Sequence, residues 1–272
     1  MMTQVATDLV AAVLATFIPL YAGAFTPRIL NLRRKSASKT LILLSAVSAG
    51  IMFWFFLDIM GEAALLDVNQ GLNAPTGTAL VIHVVLPVLF AASVVSLLGL
   101  ELYSKRKTSI SEKTSTAPSE IFAGVTSSVA ALAALGIGFH ALGEGVTIGA
   151  SISNSSSLIE AIGGVSPGIA YVLHKVLEGL VVGAFSLLAG LRSVRRIGLL
   201  GFLSGFPTVL GLLVGLPSLV QASYFFALGG GAAMYIEIKL IPVFAGARFD
   251  SVSIAFMLLG FYSMYVAGLF HS

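Results

Sequence analysis

Residues 167–190 read PGIAYVLHKVLEGLVVGAFSLLAG, a stretch that is apolar apart from a histidine, a lysine and a glutamate near its middle. A helix of this length crosses the hydrocarbon core of a bilayer, which requires about 20 residues. The other apolar stretches of similar length lie at 7–27, 40–60, 79–101, 121–150, 197–214, 222–242 and 251–270. Because every backbone polar group in lipid must find an internal partner, this pattern predicts eight transmembrane helices.

The composition of the whole chain favours the same architecture. Of its 272 residues, 57% are hydrophobic and 10% are charged, whereas ordinary soluble domains carry about 25% charged residues. So few charges cannot cover a water-facing surface, so the lipid bilayer must surround most of the protein. We therefore predict one all-α integral membrane domain over 1–272, a bundle of eight transmembrane helices. The chain has no cysteine, which excludes disulfides and thiolate metal ligands.

Basic residues lie almost entirely at alternate connections between the predicted helices. In the first, third, fifth and seventh connections and the adjoining helix ends they are Arg28, Arg33, Arg34, Lys35 and Lys39; Lys105, Arg106, Lys107 and Lys113; Arg192, Arg195 and Arg196; and Lys239 and Arg248. The positive-inside rule makes that side cytoplasmic and predicts that both termini lie outside. We expect a multi-pass protein of the cell membrane. Residues 102–120, rich in Ser, Thr and Lys, are predicted to form a flexible cytoplasmic loop between the third and fourth helices.

Two of the predicted helices carry the same ionisable motif. Residues 140–150 read HALGEGVTIGA and residues 174–184 read HKVLEGLVVGA, so both follow the pattern H-x3-E-G-x3-G-A. A spacing of four residues places the His and the Glu on one helix face, one turn apart. The Gly-x3-Gly strip of each motif allows the backbone of another helix to approach closely.

The two motifs are predicted to meet at the same depth in the membrane. Residue 159, in the polar loop that joins their helices, is equally far in sequence from Glu144 and His174, and from His140 and Glu178. Antiparallel neighbours then bring His140 level with Glu178, and Glu144 level with His174. Two imidazoles and two carboxylates carry a net charge of −2, which matches a divalent cation. The alternative is that each His–Glu pair only holds helices together through a buried hydrogen bond.

Mixed nitrogen and oxygen ligands favour zinc, iron, manganese or cobalt over calcium and magnesium, which prefer oxygen alone. Paired H-x-x-x-E-G segments on the fourth and fifth of eight helices resemble those of the ZIP (Zrt/Irt-like protein) metal transporters. Residues 49–63 and 229–235 are more weakly similar to the second and seventh helices of that family. The resemblance implies a 3+2+3 arrangement of the helices, with the fourth and fifth lining the path. It also implies import of zinc, iron or manganese into the cytoplasm.

The sequence departs from the family pattern where a second metal would bind. Family members commonly have Asn after the first motif His, an acid after the second, and a carboxylate on the sixth helix. Here those two positions hold Ala141 and Lys175, and the sixth apolar stretch has no acid. We therefore predict that Lys175 substitutes for the second ion beside a single metal site. The predicted ligands of that site are His140, Glu144, His174 and Glu178. The alternative for Lys175 is a side chain that extends outward to the lipid headgroups.

Other acidic side chains lie closer to the ends of the predicted helices. Asp58 and Glu62 are four residues apart at the outer end of the second stretch, where they would attract cations at the entrance. The alternative is an ordinary solvated helix end, where charges are least costly. Glu237 and Lys239, near the cytoplasmic end of the seventh stretch, are expected to be interfacial, and the alternative is that they line the exit.

These features predict a transporter that moves a divalent transition-metal ion toward the cytoplasm, with zinc as the first expectation and iron or manganese as alternatives. The metal is cargo, and no resident cofactor or enzymatic activity is expected. An intramembrane metal-dependent hydrolase and a non-transporting metal sensor are the competing hypotheses, although the chain has no H-E-x-x-H sequence. The expected partners are the lipid bilayer and the metal ion, with a homodimer left open. The small net charge of +3 does not indicate nucleic-acid binding.

Overall fold

The computed structural model describes residues 2–29, 37–65, 75–108, 125–217, 220–246 and 250–269. Within these ranges, eight helices are long and apolar enough to span a membrane, which confirms the predicted all-α bundle. They are α1 (Met2–Ile29), α2 (Ala37–Glu62), α3 in three consecutive parts (Thr76–Leu80, the π-helical Val81–Val85, and Leu86–Thr108), α4 (Ser127–Ile152), α5 (Val165–Leu188), α6 (Val194–Gly215), α7 (Ser223–Gly246) and α8 (Ser251–Leu269). A short helix, Leu158–Ala161, lies in the connection between α4 and α5.

Two helix boundaries near the third connection differ from the sequence expectation. The third helix continues to Thr108, so the first residues of the loop predicted at 102–120 are helical. Leu, Lys and Arg in that segment are good helix formers, which extends the helix beyond its apolar stretch. Residues 109–124 lie outside the described part of the chain. Helix α4 begins at Ser127 because the Thr126 hydroxyl accepts the N–H of Val129, at 3.3 Å.

The packing of the helices has an internal symmetry. The main contacts join α4 to α6, α1 to α5 and α2 to α8, and they join α7 to α2, α3 and α4. If α1, α2, α3 and α4 are exchanged with α6, α7, α8 and α5, the α4–α6 pair becomes α5–α1 and the α2–α8 pair becomes α7–α3. Because successive spanning helices alternate in direction, the exchanged helices run oppositely, as in an inverted repeat. This division of the bundle matches the predicted 3+2+3 arrangement.

Glycines of the two sequence motifs allow the closest of these contacts. A Cβ atom at Gly145 would collide with the carbonyl oxygen of Thr208 on α6. A Cβ at Gly179 would collide in the same way with the carbonyl oxygen of Leu20 on α1. The second glycine of each motif meets the same neighbouring helix. The Gly-x3-Gly strips therefore bring backbones together, as predicted, and they fix α4 and α5 on equivalent partners.

Helices α4 and α5 are the most enclosed helices of the bundle. Buried residues make up 72% of the spanning segment of α4 and 67% of that of α5. By contrast, the corresponding share is 17% for α3 and 22% for α8. Ionisable side chains on α4 and α5 are therefore surrounded by protein rather than by lipid.

Candidate metal site

The two motif helices bring four ionisable side chains together inside the bundle. His140 and Glu144 on α4, and His174 and Glu178 on α5, are all buried, and one ligand atom from each lies within 4.8 Å of all the others. The distance from His140 Nε2 to Glu178 Oε1 is 3.9 Å, and that from His174 Nε2 to Glu144 Oε1 is 3.7 Å. These cross-helix pairs are the ones that equal depth predicts. We call these four side chains the quartet.

The quartet has the dimensions of a small-ion coordination shell. Within the motifs, His140 Nε2 lies 3.3 Å from Glu144 Oε1, and His174 Nε2 lies 3.2 Å from Glu178 Oε1. With the cross-helix pairs, four His–Glu distances fall between 3.2 and 3.9 Å. Tetrahedral zinc with bonds of about 2.0–2.2 Å places its ligand atoms about 3.3–3.6 Å apart. An ion of this size therefore fits with small side-chain shifts.

Hydrogen bonding differs between the two halves of the quartet. On α5, His174 Nε2 is hydrogen-bonded to Glu178 Oε1 at 3.2 Å. On α4, neither ring nitrogen of His140 makes a hydrogen bond within the described residues, and neither does Glu144 Oε1, whereas Glu144 Oε2 is ion-paired with Lys175. Buried polar atoms without hydrogen bonds are costly and need an explanation. Nitrogen and oxygen atoms that face one another in this way fit a bound cation.

Lys175 is a fully buried cation beside the quartet. Its ammonium group donates a hydrogen bond of 2.7 Å to Glu178 Oε2 and forms an ion pair with Glu144 Oε2. The side chain is 0% exposed, so it does not extend to the headgroups. The two Oε2 atoms therefore face a fixed positive charge, while the two Oε1 atoms face the imidazoles. The ring of Tyr171 also faces the ammonium, with its centroid 5.5 Å from Nζ.

Aromatic rings enclose the two imidazoles, and the sequence did not identify them. The imidazoles of His140 and His174 are stacked, with centroids 5.6 Å apart and planes inclined by 14°. The ring of Phe55 lies 4.5 Å from His140 and 5.8 Å from His174, and Phe226 lies 5.4 Å from His140. Phe55 precedes Glu62 by seven residues on α2, so helical spacing alone would have placed both on one face. These rings restrict the orientation of the ligands and exclude water.

The remaining predicted site residues lie around the quartet. Glu62, at the end of α2, has its Oε2 atom 3.9 Å from His140 Nδ1. Asp58 is half-buried one turn earlier and is not a member of the quartet. Ala141 is buried and offers no ligand atom.

A cavity of about 520 Å³ reaches Glu62 from the end of the bundle where α2 ends and α3 and α7 begin. We call it the vestibule. Its lining includes Glu62, Gly77, Thr78, Val81, Ile82 and Gln221. The carboxylate of Glu62 therefore lies between an open space and the quartet.

A second buried ion pair, which the sequence did not predict, lies toward the other end of α3. Lys239 Nζ is 2.6 Å from Glu101 Oε2, and the Tyr235 hydroxyl donates to the same oxygen at 3.0 Å. The side chain of Lys239 is 18% exposed and that of its partner Glu101 is 2% exposed, so the pair is largely enclosed by protein. Glu101 is the last residue of the third apolar stretch, and a carboxylate at the end of a membrane-spanning stretch needs a partner.

Comparison of the sequence with protein-family models finds no match, and comparison with curated proteins finds no relative. The function of the chain is therefore inferred from its fold and the quartet. Eight apolar helices around a buried His/Glu group fit a membrane metal transporter in general.

Proposed function

We propose that this chain transports a divalent transition-metal ion, foremost zinc, through the bilayer toward the cytoplasm. The observation that carries the proposal is the quartet. Its side chains belong to two membrane-spanning helices, and four distances from an imidazole nitrogen to a carboxylate oxygen fall between 3.2 and 3.9 Å. Ionisable groups at membrane depth are costly and mark ion pathways. The paired H-x3-E-G motifs and the 3+2+3 packing support membership of the ZIP family as part of the same proposal.

The position of the quartet supports transport over simple storage. It lies between α4 and α5, the helices that exchange with each other in the inverted repeat. In secondary transporters built from inverted repeats, the substrate site lies at the repeat interface near the bilayer midplane, and the repeats rock around it. The vestibule then provides access from one side.

The ligand set supports a transition metal as the substrate. Two imidazole nitrogens and two carboxylate oxygens suit zinc, with iron and manganese as alternatives, whereas magnesium and calcium favour oxygen shells. The quartet and Lys175 together carry a charge of −1, so one divalent ion changes the local sum to +1. A second ion would raise it to +3, which supports one ion per chain.

The orientation of the chain is a further part of the proposal. The basic connections favour both termini outside at the cell membrane. Because the chain has no cysteine, single reporters can be introduced cleanly. Cysteines at Ser115 and Ser155 are expected to label from opposite sides of the membrane. Labelling of both by an impermeant reagent added outside would contradict this orientation.

We propose no enzymatic activity. A metal-dependent hydrolase keeps an open position for water and a general base beside the metal. Here both quartet carboxylates already contact Lys175. A non-transporting sensor is the remaining alternative, and it differs from a transporter in flux rather than in binding.

Uptake into proteoliposomes tests the proposal. Vesicles with a trapped metal-sensitive dye are exposed to zinc, iron, manganese or magnesium. Zinc is expected to enter, magnesium is not, and Glu178→Gln should abolish uptake. Glu160→Gln is the matched control, because Glu160 is exposed on the short helix outside the quartet and should leave uptake unchanged.

Three results would contradict the proposal. Equal uptake by the wild type and Glu178→Gln would show that the quartet is not the path. Tight zinc binding without flux would favour a sensor. Turnover of a lipid or peptide substrate would favour a hydrolase.

A further inference from the structure

We infer that Glu62 is a positioning residue for the metal site: its carboxylate accepts the Nδ1 hydrogen of His140 while Nε2 of the same ring holds the ion. This inference rests on the proposed function, because it assigns a role in the quartet's metal-loaded state.

The position of the hydrogen on the imidazole ring decides where an acceptor is needed. A neutral imidazole carries one N–H, so a ring that binds a metal through Nε2 has its hydrogen on Nδ1. Metal-binding histidines almost always donate this hydrogen to a carboxylate, a carbonyl or a water, which fixes the orientation of the ring. The Nδ1 atom of His140 makes no hydrogen bond within the described residues. An acceptor is therefore required on that side of the ring.

The carboxylate of Glu62 faces this nitrogen. Glu62 Oε2 lies 3.9 Å from His140 Nδ1 and also makes no hydrogen bond in the described part of the chain. A normal N–H···O hydrogen bond is about 2.9 Å long, so a shift of about 1 Å joins the two atoms. Glu62 is the last residue of α2, and its side chain is 25% exposed. Its Oε2 atom is buried, but the side chain also borders the vestibule, which leaves room for this shift.

Glu62 also lies on the route into the quartet. Because Glu62 lines the vestibule and faces His140, an ion that enters from the vestibule meets this side chain before it reaches the quartet. Asp58 is a second acidic residue on the same helix, one turn earlier, and is not a member of the quartet. It is thus the matched control for a general electrostatic effect.

Cobalt binding to the full-length protein in detergent tests the inference, because the visible absorption of Co²⁺ reports its coordination geometry. Glu62→Ala should weaken Co²⁺ binding by about 10–100-fold and change the absorption band, as loss of a group that orients a ligand does. Glu62→Gln should recover part of the affinity and restore the band, because its amide oxygen accepts the same hydrogen bond without the charge. Asp58→Ala should leave the absorption band unchanged and should weaken Co²⁺ binding less than Glu62→Ala does.

The outcomes separate this inference from the proposed function. If Glu144→Gln weakens binding while Glu62→Ala binds like the wild type, the positioning role is overturned and the quartet stands. The role is also overturned if Glu62→Gln binds Co²⁺ no better than Glu62→Ala and Asp58→Ala weakens binding as much as Glu62→Ala. The effect is then a general electrostatic one and not a specific hydrogen bond. If the wild type binds no Co²⁺, or Glu144→Gln binds it unchanged, both proposals are overturned.

Discussion

The two copies of the H-x3-E-G-x3-G-A motif pack in the same way but differ in the contacts of their polar side chains. In both, the glycines pack against an equivalent helix, α6 for 140–150 and α1 for 174–184. The residue after the histidine is Ala141 in the first copy and Lys175 in the second. In the second copy, His174 and Lys175 both bond to Glu178. In the first copy, neither His140 nor Glu144 Oε1 makes a hydrogen bond in the described residues, and Glu144 Oε2 pairs with Lys175 of the second copy. One copy therefore supplies a cation, and the other supplies unsatisfied ligands.

This difference shows how a symmetric bundle forms an asymmetric site. The ammonium of Lys175 reaches across to Glu144, so both carboxylates share one fixed charge. Each carboxylate keeps its other oxygen for the imidazole side. A resident cation thus occupies one side of the carboxylate pair, and we propose that a transported ion uses the other.

The largest expected effect comes from removing the cation that makes the copies differ. Lys175→Met leaves Glu144 and Glu178 buried without their common partner. Breaking a buried ion pair by removing one member costs about 3–5 kcal/mol. We expect a lower thermal unfolding temperature for the metal-free protein, measured by circular dichroism in detergent, with partial recovery when zinc is added.

Lys239→Met is the control for this first prediction. It removes the other enclosed ammonium, but the Lys239 side chain is 18% exposed, so water can replace part of the interaction with Glu101. We expect a smaller loss that zinc does not restore. Equal losses in the two variants, both insensitive to zinc, would show that Lys175 is an ordinary structural lysine.

The second effect separates the roles of the two carboxylates. Glu144→Gln and Glu178→Gln should each weaken zinc binding at least 10-fold, since even loss of a group that only orients a ligand costs about 10–100-fold. Glu178→Gln should also destabilise the metal-free protein more, because Glu178 is bonded to both His174 and Lys175. Calorimetric titration and thermal unfolding measure the two quantities. Unchanged zinc affinity in both variants would refute the assignment of the quartet.

The smallest effect tests the part of the motif that the copies share. Gly145→Ala and Gly179→Ala should destabilise the protein by similar amounts, because each Cβ would meet a backbone carbonyl oxygen. Such overpacking lowers the free energy of unfolding by about 1–3 kcal/mol. The better helix propensity of alanine offsets about 0.5–1 kcal/mol of this loss.

Gly198→Ala is the matched control on α6, because no heavy atom lies within 4 Å of its added Cβ. It should leave stability unchanged or raise it slightly in the same unfolding assay. If the three variants behave alike, the motif glycines do not determine helix packing.

Much of the fold could be predicted because lipid imposes a simple rule on sequence. Length and hydrophobicity identify the eight spans, and the His–Glu spacing on two antiparallel helices identifies the residues that meet. The equal depth of His140 with Glu178 and of Glu144 with His174 followed from the common centre at residue 159. These features depend on helix geometry alone.

Other features depend on contacts between helices that are distant in sequence. The approach of Phe55 to both imidazoles, and of Glu101 to Lys239, requires the packing of α2 against the motif helices and of α3 against α7. The extension of α3 to Thr108 depends on good helix formers beyond the apolar stretch, which a hydrophobicity pattern does not detect. The sequence favoured a Lys175 beside the metal site, and the structure buries its side chain and pairs its ammonium with Glu144.

Metal analysis of the purified protein tests the central claim most directly, namely that Lys175 replaces a second ion. The wild type is predicted to bind one zinc ion per chain, measured by elemental analysis against protein concentration. The double variant Ala141→Asn, Lys175→Asp removes the fixed cation and adds ligands, and its ratio is predicted to rise toward two. Two tightly bound ions per chain in the wild type would contradict the account.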